Sequence, residues 1–460
     1  MLDREISLGR FGDHRRARVG RDFLAALIGK QTTCVRELGG QRREEIRYGR
    51  FLRNEKVTTE EMLEEAGRAT GERVEGRHVL VIQDTSELNF SGHSRRKRGF
   101  GTVGNGTDIG LFIHPQLVVD AETSGILGLA GATLINRTKR PSQHRRSRGL
   151  AEKESRRWLA GAQTAGQVAS RAASITIVAD RESDNYEEFA QRPANVDLLT
   201  RAAQDRALAD GGRLFGFCAG LAEQARFEIE VPAKGKRAAR RASVALAFGK
   251  VTIKRPRNGA ERTLPPEVSL SVVDVREIDP PQGATPVHWC LLTSHAVCSL
   301  DEAHRIVAWY RMRWIIEQLF RTMKGQGFAI EQSQIVEATT LAKLAVATLI
   351  AATRVMQLVQ GRDGSTGQSL SDAFAAEDEP LIEALVSRLE GTTEKLKNPY
   401  PRGSLARAAW AIGRLGGWSG YRGGGYKPAG PKTMYKGLVK FDAIKQGWAL
   451  AALQVGPENV

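Results

Sequence analysis

Two apolar runs that each stop on an aspartate constrain this chain more than any other feature. His78-Val79-Leu80-Val81-Ile82-Gln83 leads into Asp84, and Ser174-Ile175-Thr176-Ile177-Val178-Ala179 leads into Asp180. Short runs of this kind read as strands buried on both faces. Residues 111–119 and 125–134 read as two further strands around a turn, and 152–165 as a helix. Strands followed by a helix and another strand predict an α/β core. In open α/β sheets, ligands collect beyond the carboxyl ends of the strands, where both aspartates stand. Two carboxylates meeting there repel unless a cation lies between them, which points to Mg²⁺. Taken alone, each aspartate reads more readily as a turn opener or a helix cap than as a ligand.

The flanks differ from this core. Residues 1–70 read as a basic helical domain, with Phe23, Leu24, Leu27 and Ile28 at helical spacing and Thr58 and Glu61 placed as a capping box. Residues 71–365 form the central domain, in which 196–292 shifts to period-two alternation and reads as a β-rich insertion. Long helices are expected over 301–324 and 341–359. The Gly-rich linker 361–367 marks a boundary, and 366–460 reads as a helical C-terminal domain.

Charge narrows the partner. Lys and Arg number 68 against 52 Asp and Glu, a net +16 over 460 residues, which favours a polyanion and above all nucleic acid. The excess gathers at 95–98, 137–148 and 234–241; each cluster reads either as a phosphate contact or as a solvated loop. Cys34, Cys218, Cys290 and Cys298 form no zinc-ligand spacing and suit a reducing compartment. The N-terminus carries no secretory pattern, and the apolar run Leu344–Thr353 is too short to span a bilayer, so no membrane partner is expected. Gly99–Gly104 satisfies G-x-G-x-x-G but lacks the strand–turn–helix setting of a dinucleotide site. His114 reads as a satisfied strand histidine.

A third acid changes the weight of the first two. Tyr310, Arg313, Glu317 and Lys324 follow one another at intervals of three, four and seven residues, which stacks them along one helix face. A carboxylate between two cations suits a metal ligand beside phosphate-binding groups, and equally an exposed face with i,i+4 charge pairs. That spacing, Tyr-x2-Arg-x3-Glu-x6-Lys, resembles the YREK signature of the DDE transposases of the insertion-sequence-four family. Gln83-Asp84-Thr85-Ser86 and Asp180-Arg181-Glu182-Ser183-Asp184 resemble the first-Asp and DRE-x-D segments of that family. Weaker likenesses at 12–16, 48–54, 152–159, 403–405 and 412–417 extend the resemblance over nearly the whole chain.

The resemblance implies a ribonuclease-H-like catalytic core with a β-rich insertion, flanked by helical N- and C-terminal domains. It implies that Asp84, Asp180 and Glu317 are catalytic and hold two Mg²⁺ ions, with Mn²⁺ able to substitute. Tyr310, Arg313, Lys324 and Arg201 would contact phosphates, Trp289 would hold a flipped base, and Trp314 would lie beside the DNA. Arg15, Arg16, Arg50 and Arg53 fall in the N-terminal segments that resemble the DNA-binding region. The implied activity is cut-and-paste transposition through a hairpin, on double-stranded DNA with terminal inverted repeats. The C-terminal helices would make a homodimer, and the setting would be a bacterial cytoplasm, at the nucleoid. Two alternatives remain: a metal-dependent nuclease of the same fold without strand transfer, and a non-catalytic DNA-binding regulator.

Overall fold

The computed structural model describes residues 7–104, 106–137, 155–231, 239–257, 262–325, 327–421 and 427–454. Its strands are β1 (His78–Gln83), β2 (Ser86–Asn89), β3 (Gly101–Val103), β4 (Asp108–Asp120), β5 (Ile126–Ile135), β6 (Ser174–Ala179), β7 (Asp197–Arg201), β8 (Ala225–Val231), β9 (Arg240–Lys254), β10 (Glu267–Glu277) and β11 (His288–Thr293). All belong to one mixed sheet. Its heart is β5-β4-β1-β6-β7, with β4 antiparallel to β1 and β5, and β1, β6 and β7 parallel. Together with helices at both ends of the chain, this is a ribonuclease-H-like core.

The two apolar runs lie side by side because both of their faces are covered. Leu80, Ile82 and Val178 enter one hydrophobic cluster, while Val79, Val81, Ile175 and Ile177 enter the other. Each fully buried side chain of this size contributes roughly 1.5–3 kcal/mol. The register pairs His78 with Ser174 and Ile82 with Val178. Carried on by two residues, that register sets Asp84 level with Asp180.

The segment 196–292 is continuous with the core sheet. Its first strand, β7, is the outer parallel strand of the core, and β11, β10, β9 and β8 follow from it in antiparallel order. The alternation in β9, with Ala242, Val244 and Leu246 buried, reflects one covered face.

Four helices precede β1: α1 (His14–Lys30), α2 (Val35–Gly39), α3 (Arg42–Arg53) and α4 (Thr59–Arg73). Thr58 caps α4 through the Glu61 N–H at 3.2 Å, but the Glu61 carboxylate turns to the Phe11 N–H, so the box is half formed. Next come α5 (Arg156–Val168), α6 (Tyr186–Gln191), α7 (Leu214–Gly220), α8 (Leu300–Met312), α9 (Trp314–Met323), α10 (Ala338–Gly361), α11 (Glu379–Leu389), α12 (Leu405–Leu415) and α13 (Pro431–Gln454). Helix α10 is long and apolar enough to cross a membrane, yet 72% of its most apolar stretch is buried within the protein. It is a core helix, against which α1 and α13 both pack.

The single helix expected over 301–324 is broken. At Arg313 the hydrogen bonds tighten to i+3, from Arg313 N–H to Tyr310 and from Ile316 N–H to Arg313, and α8 gives way to α9. The kink lies where the buried Arg313 side chain turns toward three half-buried acids.

Candidate active site

Asp84 sits in a two-residue gap between β1 and β2, both of which pair with β4. Asp180 follows β6, and Glu317 lies on the first turn of α9. Three separate elements therefore deliver the three acids to one place. What joins them is Arg313, whose side chain is only 5% exposed. Its guanidinium lies 3.4 Å from Asp84 Oδ2, 3.6 Å from Asp180 Oδ2 and 3.3 Å from Glu317 Oε1. Burial works to lower the Arg313 pKa, and the charges of Asp180, Asp84 and Glu317 outweigh it and hold it above its ordinary value. Removal from water pushes the Asp84 carboxyl up to about 6, against the pull of the Thr85 N–H and Arg313.

A buried network fixes the Asp84 turn from behind. Asp84 Oδ1 accepts the Thr85 N–H at 2.8 Å. The Thr85 hydroxyl meets His114 Nδ1 at 2.9 Å, and His114 Nε2 meets Gln83 Oε1 at 3.0 Å. Burial pushes His114 down to about 3, so the ring is neutral and spends both nitrogens on positioning. Arg157 on α5 donates to the Thr85 hydroxyl and to Glu182 Oε2, both at 3.0 Å, tying the Asp84 turn to the segment after Asp180. His114 is the satisfied strand histidine expected; the role of Arg157 was not legible, because nothing in its spacing signals a contact to residue 85.

On the other side, the Tyr310 hydroxyl donates to Asp180 Oδ1 at 3.0 Å. Burial first, and then the Asp180 charge, push that phenol up to about 12. Asp184, the last acid of the DRE-x-D segment, makes a buried clamp. It accepts the Ala203 and Gln204 N–H groups at 2.7 and 2.9 Å and pairs with Arg206, fixing the chain just after β7.

Lys324 lies past the end of α9 and pairs with Glu331 at 3.5 Å, so it leaves the face shared by Tyr310, Arg313 and Glu317. The early end of the helix is the physical reason. Arg201 donates to the His288 carbonyl at 2.6 Å, beside Trp289. The Trp289 ring stands edge-on to Tyr310 with centroids 5.5 Å apart, and the Arg313 guanidinium lies over Trp314 at 5.0 Å. Arg201, Trp289, Arg311, Trp314, Arg240 and Arg241 line one open groove. Arg15, Arg50 and Arg53 are exposed on the N-terminal helices, and Arg16 is partly covered near Asp13.

The basic clusters divide. Lys97 is drawn inward, its ammonium donating to the Ser333 and Ile335 carbonyls at 2.7 Å each, and burial pushes its pKa down to about 8. Arg137 stacks on Phe112 at 4.0 Å, whereas 138–148 lie outside the described residues. Residues 234–238 also lie outside them, and Arg240 pairs with Glu277. Among the described residues, one further group offers metal-type ligands: Cys218, Asp274 and Cys290, within 4.8 Å of one another. Asp274 is already held by His288 at 2.8 Å and Arg276 at 2.5 Å. The neighbouring Cys218 thiol and burial push the Cys290 thiol up, so it stays protonated.

The three central acids supply the type of donor that a hard divalent cation takes. Carboxylate oxygens suit Mg²⁺ and Mn²⁺, and here one oxygen of each acid faces a single positive group rather than three separate ones.

Residues 112–353 match the family described as the transposase DDE domain, and the chain belongs to that family. The protein is thus an enzyme of the transposase and nuclease type, whose family acts on DNA and uses divalent metal ions. The matched span contains Asp180, Tyr310, Arg313 and Glu317 but begins after Asp84. Asp84 is tied to the others by the shared Arg313 contact and by strand register.

Proposed function

We propose that this chain is a cut-and-paste DNA transposase of the insertion-sequence-four group, similar to the transposase of transposon five. The observation that carries the reading is the convergence of Asp84, Asp180 and Glu317 from β1, β6 and α9 upon Arg313. The protein binds terminal inverted repeats, pairs two ends as a homodimer, excises the element through a hairpin and joins it to target DNA.

Asp84, Asp180 and Glu317 would hold two Mg²⁺ ions, which would supply Lewis-acid stabilisation of the negative charge that develops at the phosphoryl centre. Water, and later a DNA 3′-hydroxyl, attacks phosphorus in line while the opposite P–O bond breaks. The Tyr310 hydroxyl keeps Asp180 oriented. Arg201, Arg313 and Lys324 take up backbone phosphates, where guanidinium groups offer paired donors. Trp289 borders the groove and offers a face for the base that is extruded as the hairpin forms, an aromatic contact worth about 1–3 kcal/mol. Arg15, Arg16, Arg50 and Arg53 engage the repeats from the N-terminal helices.

Incubation with DNA carrying the element's own ends, a target plasmid and Mg²⁺ tests this reading. Excised hairpin ends and joined product are expected. Cut ends that never join would leave a nuclease.

A further inference from the structure

The Arg313 guanidinium is more deeply engaged than a phosphate contact requires. Asp84 Oδ2, Asp180 Oδ2 and Glu317 Oε1 face it at 3.4, 3.6 and 3.3 Å. The companion oxygens of the two aspartates are in use, one on the Thr85 N–H and one on the Tyr310 hydroxyl. The aspartate oxygens left over for a cation are therefore the ones that Arg313 now faces. With 5% of its side chain exposed, Arg313 has exchanged most of its water for these acids, and the acids are spared mutual repulsion in return.

We propose that Arg313 is the resident counter-cation of the metal-free site. It holds Asp84, Asp180 and Glu317 together in a charged but uncrosslinked state, and a divalent ion must take the same oxygens from it. This rests on the reading of the three acids as metal ligands. A Mg²⁺ ion binds carboxylate oxygens at about 2.0–2.1 Å and repels a guanidinium directed at the same lone pairs. The long contacts of 3.3–3.6 Å suit a cation that can leave. The ring of Trp314, 5.0 Å from the guanidinium carbon, also lines the groove and offers the departing cation an aromatic face there. Arg313 is thus a positioning residue whose charge preassembles the site and at the same time weakens its hold on metal.

The test is calorimetric titration of Mn²⁺ into the full chain without DNA, with melting curves in EDTA and in saturating Mn²⁺. Arg313→Gln is expected to bind Mn²⁺ at least fivefold more tightly than wild type. It should melt below wild type in EDTA, with the gap narrowing once Mn²⁺ is bound. Arg313→Lys, which keeps the charge but cannot span three carboxylates, should fall between the two. If Arg313→Gln does not fold, Arg313→Lys carries the comparison and should still exceed wild type. Affinity equal to or weaker than wild type in the folded variants overturns the proposal. Asp84→Asn serves as the control: if it binds Mn²⁺ as wild type does, the metal-ligand reading fails instead.

Discussion

The Tyr310 hydroxyl donates to Asp180 Oδ1 at 3.0 Å across the junction between α8 and the end of β6. One oxygen of that carboxylate is thereby fixed, and the other is left for a cation. Tyr310→Phe removes the donor with little change of shape. A hydrogen bond to a charged group contributes about 1.5–3 kcal/mol, so the apparent Mg²⁺ affinity should fall by roughly tenfold or more. Cleavage measured against Mg²⁺ concentration checks this, and an unshifted curve would remove the role.

Asp84→Asn, Asp180→Asn and Glu317→Gln should each abolish strand cleavage while leaving binding to end DNA largely intact. Gel-shift and nicking assays on the same preparations separate the two effects. Mg²⁺-dependent cutting retained by any one of them would take that acid out of the site.

Asp184 and Arg206 form an ion pair with side chains 0% and 4% exposed. Removing one partner of such a pair leaves an uncompensated charge and typically costs 3–5 kcal/mol. Asp184→Ala should therefore lower unfolding stability by about that amount in urea melts. A loss below about 1 kcal/mol would show that the clamp at 203–206 is dispensable.

Glu188 is fully buried. Burial pushes its carboxyl up to about 8, despite the Ser183 hydroxyl at 2.7 Å, so the folded protein holds a proton that the unfolded chain releases from about 4.5 upward. With the folded pKa raised, stability is lost as pH climbs from the unfolded value through about 8. Glu188→Gln, neutral at every pH, should melt above wild type at pH 8, and the difference should shrink toward pH 5. A constant difference across that range would show that Glu188 is charged in the fold.

The parts of this structure governed by local pattern were legible in the sequence. The β-branched runs at 78–83 and 174–179 form β1 and β6 at those residues, because strands buried on both faces need continuous apolar sequence. Helical spacing brought Tyr310, Arg313 and Glu317 together correctly. It failed at Lys324 because the helix kinks at Arg313 and stops at Met323, and both events follow from tertiary contacts that periodicity does not encode. For the same reason Lys97 looked like a surface cation and is spent on two carbonyls. The support for Asp84 from Thr85, His114 and Arg157 was equally hidden, since its members are scattered along the chain and meet only through the sheet.

The most direct measurement is anomalous diffraction from crystals grown with Mn²⁺. A peak ligated jointly by Asp84, Asp180 and Glu317 is expected, with the Arg313 guanidinium turned away from those oxygens. A peak held by one of these acids alone, or none among them, would contradict a shared metal site.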